Sequence, residues 1–375
     1  NIEIARKYFD EKHSKFGLIY KYLALLAMSD GHHKESFEYY NKSLEIYKAV
    51  YGEKHPEVML VMDWMGHLYI KDGNLIEAER LVKESLQFKL DFFGDDHPDT
   101  AKSYGKLGWL YSCRCKYEEA IKCYEKALEV FLKIYGPDHP NTASAYNDLG
   151  TAYDEAGLLD KAVDCYEKGL TIRRNFYGPN HIEIAWSLNS LGIVYGKKGH
   201  LHMKLSMYKQ SHKIRKNWLG KDHVEIAETY SNLGCVYIEL GDFERAQKKL
   251  LKGLAIKQKL FGTDHICLAD LYCNLAIVFD NQNRFKESLE YYNKALTLKE
   301  RCYTKKHMEV GHLFHNIALV YKAIFSQAAN ENAKKKAYCI FKKLQKRNDP
   351  EFIVFSINLT LTSAIVDKFR VNQEI

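Results

Sequence analysis

Residues Tyr135–Phe176 read YGPDHPNTASAYNDLGTAYDEAGLLDKAVDCYEKGLTIRRNF, and variants of this 42-residue string are laid end to end along nearly the whole chain. Gly52, Gly94, Gly136, Gly178, Gly220 and Gly262 stand one period apart, as do His13, His55, His97, His139, His181, His223, His265 and His307. A fixed period of this size marks an array of supersecondary units. Apolar residues fall at helical spacing twice inside the string, first Ala145, Leu149, Ala152, Tyr153 and Ala156, then Ala162, Val163, Tyr166, Leu170 and Phe176. Each unit therefore reads as a pair of helices. Gly157 breaks the pair, with Gly31, Gly73, Gly199 and Gly241 in the same column, where a left-handed turn is cheapest for glycine. Between units, Pro56, Pro98 and Pro140 sit where a first helical turn tolerates proline. One pair cannot bury its own stripe, so neighbours must stack.

Length and composition agree with such an array. No apolar run reaches the roughly eighteen residues needed to cross a bilayer. The nine cysteines are scattered, and Cys113, Cys115 and Cys123 lack zinc-ligand spacing, which fits a reducing, cytoplasmic setting. The net charge of +7 is matched by Lys334, Lys335, Lys336, Lys342, Lys343, Lys346 and Arg347; without them basic and acidic residues balance at 48 each. A neutral array lacks the phosphate attraction that drives nucleic-acid binding, so no nucleic-acid partner is expected.

The order along the chain follows. Residues Ile2–His13 align with Leu44–His55, so residues 1–12 read as the end of a truncated preceding repeat, a fragment of a longer protein. Residues 13–306 hold seven 42-residue helix-pair repeats, and 307–348 a degenerate final repeat with a basic helix. Residues 349–375 form a C-terminal cap or tail, either a helix or a strand-prone segment. The fifth repeat is irregular: Lys204 stands where Ala78, Ala120, Ala162 and Ala246 are small, and His212 where Leu128, Leu170 and Leu254 are apolar. A long cation at a close helix contact must snorkel or push the helices apart.

The letters L-G-x-x-Y in the first helix (Leu107, Gly108, Tyr111; Leu191, Gly192, Tyr195), with Ala and Tyr in the second, resemble the tetratricopeptide repeat. The lengthened pair and the G-x-x-H-P junction are similar to the kinesin light chain type. The resemblance implies an all-α, right-handed superhelical solenoid of stacked antiparallel helix pairs, whose first helices line a concave groove for extended peptides. It also implies groove asparagines that hold peptide backbone: Asn147 and Asn189 in one column, Asn232, Asn274 and Asn316 in the next. Lys71, Lys102 and Lys106 give the early groove positive character, suited to an acidic, tryptophan-containing peptide, whereas Asp148, Asp154, Glu155, Glu228, Glu239 and Asp270 make later units acidic. Trp109 and Trp186 are further groove candidates.

Catalytic chemistry finds little support. The chain has no phosphate-binding, nucleophile-elbow or zinc-hydrolase motif, and no cofactor or metal is expected. The in-register histidines read as turn and cap residues, because ligands to one ion must converge within about 2 Å of it. Two functions remain open: a non-catalytic scaffold for a peptide or partner helix, attached to a motor complex, or the regulatory arm of a larger protein with a fused catalytic domain. A third idea has the basic helix 334–347 docking on an anionic membrane or acidic partner.

Overall fold

The computed structural model describes residues 8, 10, 13–302 and 308–327. The basic helix expected at 334–347, the tail at 349–375 and most of the fragment 1–12 lie outside the described residues. The chain divides into two compact units between His200 and Leu201. That division falls inside the irregular fifth repeat.

The first unit contains α1 (Ser14–Ser29), α2 (His33–Tyr51), α3 (Pro56–Lys71), α4 (Leu75–Phe93), α5 (Pro98–Cys113), α6 (Tyr117–Tyr135), α7 (Pro140–Glu155), α8 (Leu159–Tyr177) and α9 (Ile182–Lys197). The second contains α10 (Leu201–Leu219), α11 (Val224–Glu239), α12 (Phe243–Phe261), a single 3-10 turn at Ile266–Leu268, α13 (Ala269–Asn281), α14 (Phe285–Cys302) and α15 (Met308–Gln327). No strand occurs among the described residues. Each unit is all-α and built of antiparallel helix pairs, each pair stacked on the next.

The register is written into the junctions. Each periodic histidine from His13 to His265 caps the helix after it: its Nδ1 accepts the N–H two residues on at 3.1–3.3 Å, satisfying one orphan donor. The aromatic four residues earlier stacks on the ring in most repeats, as Tyr135 does on His139 at 4.5 Å and Tyr177 on His181 at 4.3 Å. The histidines are thus caps, and no group of three metal-binding side chains occurs among the described residues.

Close approach within a pair depends on small residues. On first helices Gly108 and Gly150 lie under the rings of Tyr124 and Tyr166; a Cβ at either would come within 3.0 Å of the ring. On second helices the column Ser43, Ser85, Ala127, Gly169, Ser211, Gly253, Ala295 is buried throughout. The core runs down the middle of the pairs through Leu68, Leu110, Ala152 and Val194 in the first unit and Val236, Val278 and Val320 in the second, all fully buried. A leucine so placed stabilises by roughly 1.5–3 kcal/mol. In α1 the same position, Leu26, is 61% exposed, with no described helix pair N-terminal to it. Lys204 snorkels: its ammonium meets Glu239 at 2.7 Å, while His212 bonds Thr229 Oγ1 at 2.6 Å.

Candidate functional site

A cleft of about 870 Å³ opens in the first unit. First helices α3, α5 and α7 form its walls; Phe88 and Phe93 of α4 and Tyr124 and Phe131 of α6 form its floor. Helical spacing explains the lining. Positions 63 and 64, 105 and 106, and 148 recur every 42 residues on the face of the first helices turned toward the cleft.

The walls carry an aromatic cluster interleaved with charge. The His67 ring lies 4.8 Å from Trp109 and 6.0 Å from Trp64, and the Lys106 ammonium sits 5.2 Å from the Trp64 ring centre. Burial, with Lys71 and Lys106 adding, pulls the His67 imidazole down to about 4, so it is neutral at pH 7. Below it Asp63 is buried, bonded to the buried Lys89 and 3.2 Å from Lys106. Lys89 also donates to Ser103 at 2.7 Å. Asp63 Oδ1 has no hydrogen-bond partner among the described residues. Burial pushes the Lys106 ammonium down, with Asp63 opposing.

At the rim Lys102 pairs with Asp99 at 3.0 Å. Burial disfavours the Asp99 charge, but Lys102 outweighs it and holds the carboxyl below its usual range. On the far wall the crowded surroundings raise the Asp148 carboxyl to about 6 against the pull of Arg173. Asp148 keeps solvent contact, so the shift reflects the cleft around it rather than full burial. The lining includes Lys89, Lys102 and Lys106 against Glu57, Asp63, Asp99 and Asp148, which leaves no excess of positive charge.

The cleft therefore brings together Lys102, Lys106, Trp109 and Asp148 of the residues singled out from sequence. Lys71 is exposed at the end of α3, close enough to bias His67 without lining the cleft. Asn147 is half-buried and turns toward α9, donating to Ser187 Oγ at 3.3 Å; its buried Oδ1 has no partner among the described residues. Gly169 makes room for that oxygen, since a Cβ there would lie 2.5 Å from it. Asn189 on α9 is half-buried, as is Asn232 on α11. Asn274 and Asn316 line a separate cleft of about 250 Å³ in the second unit, with Asp270, Cys273 and Lys299. Asn274 also donates toward Cys235 Sγ at 3.3 Å.

Trp64, His67 and Asp63 escaped the sequence reading, although the signal was present. Stepping the column of Asn232 back one period at a time passes Ser190, Asp148 and Lys106 and arrives at Trp64. The column of Asn147 likewise leads through Gly105 to Asp63.

The repeat geometry agrees with comparison to known families. A tetratricopeptide repeat description matches residues 17–86, 58–133, 113–175, 155–203, 205–259 and 247–301. This chain belongs to the tetratricopeptide repeat family. A second tetratricopeptide repeat description matches residues 184–225. Among solved structures, the tetratricopeptide-like repeats of a candidate kinesin light chain from Podosopora anserina superpose with a TM-score of 0.50 at 20% identity, covering 56% of this chain and 99% of that one. BtubC (BKLC) from P. vanneervenii gives 0.52 at 21% identity over 61% of this chain and 92% of that one. A signal transduction ATPase with numerous domains, bearing a tetratricopeptide repeat sensor, from Pyrococcus horikoshii gives 0.60 at 15% identity over 88% of this chain and 48% of that one. At these identities the likeness is one of fold alone. Comparison with curated proteins returns no match. No helix among the described residues is long and apolar enough to cross a membrane.

Proposed function

We propose that this chain is a non-catalytic, cytoplasmic interaction scaffold that holds an extended peptide in the cleft of its first unit, an adaptor module of the kinesin light chain type. The observation that carries this reading is the cleft itself: wide, apolar at its floor, with an aromatic cluster and a few placed polar groups on its walls. An apolar or aromatic side chain of the peptide packs against Trp64 and Trp109. An acidic neighbour in the peptide competes with Asp99 for Lys102, which sits at the solvent-exposed rim. In the second unit Asn274 and Asn316 hold peptide backbone, an amide offering both donor and acceptor.

The likeness to the ATPase with a repeat sensor, which extends over 88% of this chain, favours a second reading in which the array is the recruiting arm of a larger protein. Both readings share the cleft, and the attached domain distinguishes them.

Selection from a random peptide display library tests the cleft, with the wild type compared to Trp109→Ala, Lys102→Gln and Asn147→Ala/Asn189→Ala. We expect short extended peptides whose affinity drops by about tenfold or more in Trp109→Ala, as for a central aromatic anchor. A consensus with an acidic residue beside an aromatic one, weakened by Lys102→Gln, supports the peptide chemistry. Failure to select any peptide, or equal binding by Trp109→Ala, overturns the reading.

A further inference from the structure

The neutrality of the repeats taken together hides a local imbalance. Residues 201–262 contain twelve lysines and arginines against six acidic residues, an excess of six positive charges. Helix α10 has no acidic residue, and α12 has only Glu244. Four of the six acids are engaged elsewhere: Asp222 with Lys259, Glu225 with Arg215 at 3.4 Å, Glu239 with Lys204 at 2.7 Å, and Asp242 with Arg245 at 3.3 Å. Glu228 acts on Arg215. Lys209, Lys213 and Lys216 on α10 and Lys248, Lys249 and Lys252 on α12 take part in no ion pair among the described residues.

Five of these lysines, all but Lys213, share one field, and Lys213 stands one helical turn from both Lys209 and Lys216. The Lys249 and Lys252 ammoniums lie 5.5 and 5.9 Å from the ring centre of Tyr230, against which His212 packs at 4.5 Å. Burial and then Lys252, Lys209, Lys248 and Lys216 push the Lys249 ammonium down. Burial with Lys249, Lys216 and Lys252 holds His212 at about 4, so the ring adds no charge at pH 7. Like charges gathered without counter-charge disfavour the folded state, and a bound anion relieves that repulsion.

We infer that the lysine cluster spanning α10 and α12 is a docking surface for an acidic polypeptide segment, a run of Asp and Glu carried by a protein partner. The surface lies in the second unit, on second helices, and its argument does not depend on the cleft of the first unit. Charge complementarity selects an anion. The extent of the patch selects its kind: the next second helix, α14, mixes Lys286 and Lys294 with Glu287 and Glu290, so the positive field stops after two helices. A duplex phosphate backbone rewards a longer basic track. The six groups are ammoniums, point charges on flexible stems without the planar fork that grips phosphate in two-point fashion, and they suit irregularly spaced carboxylates.

Fluorescence anisotropy on the full chain with a labelled Asp/Glu-rich peptide tests the assignment. Wild type is expected to bind with an affinity that falls steeply as salt rises. Lys209→Gln/Lys249→Gln/Lys252→Gln is expected to weaken binding by about tenfold or more. Because Lys249 is half-buried, the fully exposed set Lys209→Gln/Lys213→Gln/Lys248→Gln serves as a second variant and is expected to lose affinity in the same direction. Lys122→Gln/Lys286→Gln, at exposed lysines outside both the first-unit cleft and this cluster, is expected to bind the acidic peptide as wild type does. Absence of wild-type binding, retention of wild-type affinity by both lysine sets, or preference for phosphoinositide vesicles or duplex DNA over the peptide overturns the proposal.

Discussion

Histidine is an uncommon helix cap, and its use here follows from doing two jobs in one place. The ring nitrogen of His139 accepts the Asn141 N–H at 3.1 Å while the ring face covers Tyr135 at 4.5 Å. Ser or Asn supplies only the first of these contacts. His139→Ala is expected to cost about 1 kcal/mol or more, with His139→Asn recovering the cap part; chemical denaturation of both variants separates capping from stacking. A second residue-scale test concerns the turn inside each pair, where glycines at φ 75–79° are replaced by Cys115 at φ 57° and Asn283 at φ 59°. A left-handed conformation costs a side-chain-bearing residue roughly 1–2 kcal/mol, with Asn tolerated best. Cys115→Gly is therefore expected to raise stability by about 0.5–1 kcal/mol after the entropy of the freer unfolded chain is subtracted. Asn283→Gly is expected to change little. A fall in the urea midpoint of Cys115→Gly contradicts the strain argument.

At the scale of the helix, consecutive pairs are joined by a buried cation on the second helix and an acid near the start of the next first helix. Arg173 is the clearest case: it donates to Ser187 at 2.6 Å and Ser144 at 3.2 Å and lies 3.7 Å from Glu183. Arg215 meets Glu225 at 3.4 Å, and Lys299 meets Glu309 and, at 3.1 Å, Asp270. The third repeat solves the same seam without charge, placing Phe131 in the cation column and Asn141 in the acid column. Removing one member of a buried polar set leaves the others unpaired, so Arg173→Ala is expected to cost roughly 2–4 kcal/mol. Arg173→Phe/Glu183→Asn, copying the third repeat, is expected to recover a large part of that loss. Thermal denaturation decides it: a double variant no more stable than the single one shows that the two columns are independent. Within a pair, Gly150→Ala is expected to cost about 1–3 kcal/mol, since the added methyl meets the Tyr166 ring at 3.0 Å.

For the whole molecule, stability is tied to pH through two histidines that charge in the unfolded chain but not in the folded one. His67 and His212 both sit at about 4, pulled down by burial first and by nearby lysines second. Because the folded values lie below the ordinary value of 6.5, the unfolded chain binds more protons between those limits. Their contribution is complete above pH 6.5 and is lost as pH falls toward 4. His67→Gln and His212→Gln are each expected to flatten the decline of the urea midpoint across that window. An unchanged slope in both variants means that neither ring is held neutral. The proposed peptide binding in the first-unit cleft belongs to this scale too, because the cleft draws on three stacked repeats at once: the midpoint of Asp148 on the far wall, raised to about 6, is expected to fall on docking of a cationic residue and to rise beside an acidic one, which NMR titration of the carboxyl reads directly.

Period, pairing and junctions were legible in the amino-acid string alone, because each depends on residues close along the chain. Gly157 ends one helix, His139 and Pro140 begin another, and Ala162 keeps two helices near each other, whatever lies farther off. The columns facing the cleft were legible in kind, since a period of 42 puts equivalent residues on equivalent faces. Their chemistry was not. Lys102 and Lys106 read as free positive charge, yet Asp99 and Asp63 answer them, and Asn147 read as open to ligand, yet it reaches Ser187, which lies forty positions along the chain. The lysines of α10 and α12 disappeared into a balanced total, and only the fold brings Lys209 and Lys216 of α10 into the field of Lys249 on α12, beside Tyr230. Sequence determined where helices start, stop and pair, because those are local equilibria. Tertiary structure decided which charges meet, because Coulomb interactions and hydrogen bonds depend on distances that a one-dimensional string does not contain.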